Sequence, residues 1–317
     1  MEFYYWKDYR CAFEQTSGSS RPALVLIHPI GVGLSSKYWH PFVEQWQTSS
    51  KVSQPIYNLD LLGCGQSDMP KQAYVPQDWA EQIAHFIETV VSDRVVLVVQ
   101  GALLPVAVQV MSTRAAQRVA GMVLSGPPDW RLMTTPIARW KQAIAWRLFD
   151  SPLGNLFYRY ARREQFLRSF SKKQLFEKPE DVDERWLGML NKGSRNMDSR
   201  YAVFSFLAGF WRQDYAARIA RIQQPVLVVM GEKASTIDRK TSRQVSQEVE
   251  VSEIKPSEAK EKQVTDQTSH KRLQDYMDCF PRAEGVVIRG RNVMPYESTE
   301  EFVAAIAPFI NNLSGLS

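Results

Sequence analysis

The chain has 317 residues, 44% of them hydrophobic, which is enough for a sizeable core in one large domain with room for a second, smaller one, and excludes a disordered or fibrous chain. Its cysteines, Cys11, Cys64 and Cys279, are odd in number and far apart, so they exclude a disulfide framework and suit a reducing, cytoplasmic compartment; without C-x-x-C or a His cluster, neither a metal site nor a cofactor is expected. The net charge of +5 is concentrated between residues 128 and 216, where sixteen Lys and Arg face ten Asp and Glu; this hints at an anionic partner and is too weak to mark a nucleic-acid binder.

The start, "MEFYYWKDYRCAF", lacks the basic end and apolar stretch of a signal peptide. "PALVLIH" (22–28) reads as a buried strand, as does "PIYNLDL" (55–61), which runs into the glycine-rich turn "LGCGQSD". "YVPQDWAEQIAHFIETVV" (74–91) is helical, with Trp79, Ile83, Phe86 and Ile87 on one side. A strand "RVVLVV" (94–99), a helix from "ALLPVAVQ" and a strand "VAGMVLSGPP" (119–128) follow. The longest apolar stretch, 95–111, contains Gln100, Pro105 and Gln109, so it suits a strand plus helix better than a membrane span; peripheral membrane contact stays open. Strands that are continuous apolar runs, alternating with helices, predict an α/β fold: a mostly parallel central sheet with helices on both faces.

From 129 to 216 strands vanish and helices rich in Arg and aromatics take over, predicting a helical cap inserted into a core made of 1–128 and 217–317. Strand logic returns with "QPVLVVMG" (224–231) and "AEGVVIRG" (283–290), and the helix "STEEFVAAIAPFINNL" closes the chain. The polar stretch 238–272 between them, nearly free of aromatics and Leu, predicts a flexible insertion, disordered or loosely helical.

The order of "LVLIHPIGVG", "NLDLLGCGQSDMP", the strand–Gly–helix around residue 101, "PVLVVMGEK" and "VIRGRNVMPYESTEEF" resembles that of α/β-hydrolase proteins, nearest the capped epoxide hydrolase, dehalogenase and esterase group and its cyanobacterial and plastid members. The resemblance spans nearly the whole chain apart from the insertion. It implies a nucleophile on a sharp strand-to-helix turn, an acid after a later strand and a His after the last one, because a neutral hydroxyl needs a base and the base needs an orienting acid. Those positions fall on Gly101, Ala234 and Val293, which carry no reactive group. Two residues either side of Gly101, where small side chains are the norm, stand Val99 and Leu103, so either the turn has relaxed or its neighbours have moved.

None of the four His replaces the base: His28 matches a supporting position beside the oxyanion loop, His40 opens a helix, His85 lies in an early helix, and His270 precedes the last strand. Asp238 would have nothing to orient. The oxyanion loop reads His28-Pro29-Ile30-Gly31, and the N–H groups of Ile30 and Ala102 are the candidate donor pair, able to hold a carbonyl or carboxylate; the plainer reading is that these loops close the sheet.

The main reading is a catalytically inactive hydrolase-like protein that binds a small apolar or amphiphilic ligand, with His28, Pro29, Asp129, Trp130 and Tyr296 as pocket candidates, or a protein partner docked on the basic aromatic cap. On that cap a helical projection puts Ile137, Trp140, Ile144 and Leu148 on one, packed face and leaves Trp146 exposed opposite, near Arg139. Trp140, Trp146, Arg163, Arg168, Lys172 and Lys173 are the interface candidates. The alternative is an enzyme of the same fold, an esterase, epoxide hydrolase or lyase, working through other pocket groups such as Tyr296, Glu297 or Asp129; a misaligned triad is a third and weaker option.

Overall fold

The protein is described by a computed structural model over residues 1–49, 54–234 and 258–314. Eight strands form one sheet: β1 (Glu2–Trp6), β2 (Tyr9–Thr16), β3 (Ala23–Ile27), β4 (Ile56–Leu59), β5 (Val95–Gln100), β6 (Val119–Ser125), β7 (Val226–Gly231) and β8 (Ala283–Ile288), in the order β1-β2-β4-β3-β5-β6-β7-β8. From β4 to β8 every pairing is parallel, and only the β1/β2 and β2/β4 pairings are antiparallel.

Every residue of β3, β5, β6 and β7 is buried, because both faces of the sheet are covered and a continuous run of Val, Leu and Ile has no side left for water. Along β5 the side chains divide between two cores: Val95, Leu97 and Val99 join Trp79, Ile83 and Phe86 on one face, while Val96 and Val98 join Trp39, Phe42 and Phe302 on the other. The Pro76–Phe86 and Leu104–Val110 helices cover the first face; His40–Ser49 and Thr299–Ser314 cover the second.

The N-terminal hairpin was not assigned from the sequence. Its strand β1 alternates, with Phe3 and Tyr5 outward and Tyr4 and Trp6 buried, the period of two that antiparallel edge strands show. Between β6 and β7 the described elements are all helical, running from Trp130–Thr134 to Ala216–Ile219.

Of the two forms expected for the polar stretch 238–272, disordered or loosely helical, its described part is helical. Residues 238–257 lie outside the described residues, but 258–272 belong to the regular helix Glu258–Cys279. That helix is held because its second half carries an apolar face: Leu273 and Tyr276, with Phe280 just past its end, are buried against the first core. Its polar residues are used as well: Ser269 Oγ donates to Glu232 O at 2.8 Å, Arg272 Nη2 to Pro127 O at 2.9 Å and Tyr276 OH to Pro128 O at 2.7 Å.

Candidate functional site

Parallel strands place their following loops along one sheet edge, and ligands of open α/β sheets bind outside the carboxyl ends where the strand order reverses, here between β3 and β5. The loops after β3, β5, β7 and β8 carry His28–Ile30, Gly101, Ala234 and Val293 to that edge.

Gly101 follows β5 at φ +58° and opens a 3₁₀ turn, Gly101–Leu103, that runs into the helix Leu104–Val110. The turn has therefore not relaxed: it keeps the left-handed backbone that a Cβ-bearing residue holds only under strain. Val99 and Leu103 are accommodated by burial, at 1% and 2% exposure. A Cβ placed on residue 101 would find its nearest neighbour, Gly126 O, at 4.0 Å, so the space for a side chain is open. Ala102 sits in the first turn of the helical run, where backbone N–H groups lack intrahelical partners.

Around that turn the loop ends are braced by structural hydrogen bonds. Gln100 Nε2 donates to Asn292 O at 2.7 Å, tying β5 to the residue next to Val293. Asn292 N–H donates to Leu175 O at 3.0 Å, and its Nδ2 donates to Gln174 O at 2.7 Å. Glu177 links the loops after β7 and β8: one carboxylate oxygen lies 3.0 Å from Lys233 Nζ, and the other accepts from Gly290 N–H at 3.0 Å. In return Glu297 accepts from the N–H groups of Glu177 (2.8 Å) and Arg291 (2.5 Å). Ala234 and Val293, 3% and 4% exposed, are packed beside this lattice. Glu297, weighed above as a pocket group, is thus a loop organiser whose carboxyl is pushed up by burial against its backbone donors.

His28 is wholly buried. Its Nε2 accepts from Leu61 N–H at 3.1 Å, so the proton sits on Nδ1, which donates to Pro29 O at 2.9 Å. Both nitrogens are occupied in joining the loops after β3 and β4, and burial lowers the imidazole's pKa. A His kept neutral by the fold takes up a proton more readily when unfolded. Stability from this group is therefore complete above the unfolded value near ~6.5 and declines as pH falls below it, by at most about 1.4 kcal/mol per pH unit. Urea unfolding between pH 7.5 and 5 should show a steeper loss for the natural protein than for His28→Gln; equal slopes would sink the idea.

The other histidines sit apart from the elbow. His40 opens its helix and pairs with Glu14 at 2.7 Å, His85 Nε2 bonds Tyr5 O at 3.0 Å, and His270 lies exposed on the Glu258–Cys279 helix.

The remaining pocket candidates are engaged in contacts of their own. Asp129 caps the Trp130–Thr134 helix by accepting from Arg131 N–H at 2.9 Å, and Trp130 meets Tyr276 edge to face at 5.4 Å. Tyr296 packs 4.8 Å from Trp186, its hydroxyl donating to Asp183 at 3.2 Å. Two cavities of about 430 Å³ each lie elsewhere: one is lined by Gln142, Trp146, Phe210 and their neighbours, the other by Lys37, Asp60, Gln66, Lys192 and theirs. Gly101, Ala234 and Val293 line neither.

On the cap, the helical projection is reversed. Trp146 is the half-buried side, 6.2 Å from Tyr201 and 5.9 Å from Phe210, whereas Trp140, Ile144 and Leu148 are 55–62% exposed. The Arg139–Phe149 helix is apolar on two sides, and the one that packs is chosen by the aromatic Tyr201 and Phe210 beneath it. Of the basic candidates, Arg163 lies over the Tyr160 ring at 5.7 Å, and Lys172 and Lys173 are exposed. Arg168 is spoken for by Glu164 and Glu184, each at 2.9 Å.

Gln100, Asn292 and Glu177 escaped the reading of the sequence. The one signal was a polar residue ending an apolar strand, "VVLVVQ", which must find a partner once buried.

The family model of the alpha/beta hydrolase family matches residues 24–306. The chain belongs to the α/β hydrolase family. Among solved structures it is similar in fold to the malate-bound thermophilic esterase of Thermogutta terrifontis (16% identity, 96% of this chain and 94% of that one, TM-score 0.68). It is also similar to the enol-lactonase of Burkholderia xenovorans LB400 (13% identity, 98% and 100%, TM-score 0.66) and to Cfl2 of Burkholderia cenocepacia (15% identity, 97% and 94%, TM-score 0.70). No curated protein matches. Gly101 stands in the turn that follows β5 and presents only backbone there.

Proposed function

We propose that this α/β hydrolase family member binds rather than hydrolyses, with the nucleophile, acid and base positions taken by Gly101, Ala234 and Val293. Its partner is a small apolar or amphiphilic molecule, or a protein engaged by the cap. The observation that carries this reading is the elbow: its left-handed turn and side-chain space are kept, yet no group there can attack a substrate. The bracing of Asn292 and Gly290 supports it, since loops that would hold a catalytic base are engaged in structural bonds. Buried Cys11, its thiol pushed up to about 12 by burial, and buried Cys64 offer no thiolate nucleophile and suit a reducing, cytoplasmic setting.

A second reading, an enzyme of the same fold with other chemistry, draws support from the esterase and lactonase activities named for the structural relatives. It also draws on Ser125, a buried hydroxyl without a hydrogen-bond partner among the described residues, paired in register with Gln100 beside the elbow.

The test is a turnover screen over esters, lactones and epoxides, with labelling by a serine-directed fluorophosphonate and native mass spectrometry for a retained ligand. The binding reading expects no turnover above buffer and no label. Gly101→Ser should fold with a loss of about 1–3 kcal/mol, since the space is open and only the left-handed strain is added, and should stay inactive because a hydroxyl without a base is a weak nucleophile. Turnover by the natural protein that Ser125→Ala or Asp129→Asn abolishes would establish the second reading instead.

A further inference from the structure

We propose that the cap carries a membrane-docking face, formed by the helices Arg139–Phe149 and Pro152–Ala161, that seats on an anionic lipid surface. The proposal stands whether or not the elbow is catalytic.

Buried cores normally take large apolar side chains, and monomeric proteins rarely leave a contiguous patch of them in water. Here seven of the eleven exposed large hydrophobic side chains among the described residues lie in one short segment, 140–160. On the first helix Trp140, Ile144 and Leu148 recur every fourth residue and are 62%, 59% and 55% exposed. On the second, Leu153, Leu156, Phe157 and Tyr160 follow the i, i+3, i+4, i+7 spacing of one helical face, with Leu153 and Leu156 each 65% exposed. The stripes belong to one unit: Gly154 packs so closely on Phe149 O that a Cβ there would overlap it, and the Phe149 and Phe157 rings lie 6.1 Å apart. The inner faces are already used, by Trp146 on Tyr201 and by Tyr158 on Phe204 at 5.9 Å, so the helices cannot turn their outer stripes inward.

Charge selects the occupant. Arg139, Lys141, Arg147, Arg159 and Arg163 are exposed on or just beyond these helices and enter no ion pair among the described residues. The single acid between 137 and 163, Asp150, is paired with Lys71 at 3.1 Å. Lys141 sits 5.4 Å over the Trp140 ring and Arg163 5.7 Å over Tyr160, so cations and amphipathic rings share the rim. An apolar stripe with Trp and Leu, edged by Lys and Arg and nearly free of acids, is the composition of a helix lying in the lipid interface. A second copy of the same face would bring five cations against five, which disfavours self-pairing. No helix among the described residues is long and apolar enough to cross a membrane, so the contact is peripheral.

Cosedimentation of the full chain with vesicles of phosphatidylcholine containing 30% phosphatidylglycerol, and with pure phosphatidylcholine vesicles, tests this. The expected result is at least ten-fold tighter association with the anionic vesicles, weakened by high salt. Arg147→Gln and Arg159→Gln should each reduce it roughly five-fold, and Leu153→Glu/Leu156→Glu should abolish it. These side chains are exposed, so unchanged circular dichroism and elution volume will show that the variants fold. The proposal is overturned if neither vesicle binds, if both bind equally, or if the face instead holds a dimer or a protein that the Leu153→Glu/Leu156→Glu variant releases.

Discussion

Gly65→Ala is expected to lower stability by at least about 3 kcal/mol. Gly65 sits at φ +59°, and a Cβ built there overlaps the Asp60 carboxylate. Asp60, 1% exposed, is the hub of the loop after β4: one oxygen accepts from Ser36 N–H at 2.8 Å, the other from Gln66 N–H at 2.7 Å. Ser67 Oγ donates to Asp60 O at 2.8 Å while accepting from Ala12 N–H at 2.9 Å, carrying the bracing to the N-terminal hairpin. Left-handed strain alone costs about 1–3 kcal/mol. Displacing the carboxylate adds about 1–3 kcal/mol for each buried donor left unpaired, so the clash outweighs the strain. Gly188→Ala is the control: inside a helix with nothing within 4 Å of its Cβ, it should be neutral or stabilise by up to ~1 kcal/mol. Urea midpoints compare the two, and equal midpoints would remove the hub role of Asp60.

Glu297→Ala should cost a similar ~3 kcal/mol and loosen the cap from the sheet edge. The lost carboxylate strands the N–H groups of Glu177 and Arg291, both in part-buried hydrogen bonds. Glu177 in turn holds Gly290 N–H and Lys233, so the change reaches the loops after β7 and β8 together. Glu297→Gln keeps one acceptor oxygen, and an intermediate loss is expected. Amide hydrogen exchange reads the distinction directly: protection at Glu177, Gly290 and Arg291 should fall in Glu297→Ala before the β5 and β6 amides change. Protection falling uniformly across the sheet would mean that Glu297 acts on global stability and does not organise these loops.

The core strands were legible because a fully buried parallel strand has one sequence form. "ALVLI", "VVLVV" and "VLVVM" declare themselves as apolar runs, and the expected 22–28, 94–99 and 224–231 lie within two residues of the observed strands at either end. The N-terminal hairpin was missed because "EFYYW" mixes exposed and buried aromatics, and only pairing with β2 shows which are which. The helix over 258–272 was left open between disorder and helix for the converse reason. Its residues are polar, and the apolar contacts that hold it come later, at Leu273, Tyr276 and Phe280.

By itself the sequence determined the α/β architecture, the inserted helical segment and the identity of residues 101, 234 and 293, since these depend on local periodicity and motif order. Tertiary structure alone decided that the turn at Gly101 keeps its left-handed form, that Gln100 and Asn292 bridge across it, and that Trp140 rather than Trp146 faces water. The physical reason is common to all three. A strained torsion, a hydrogen bond between residues 192 positions apart and the choice between two apolar faces are fixed by what the rest of the chain brings alongside, which no local window contains.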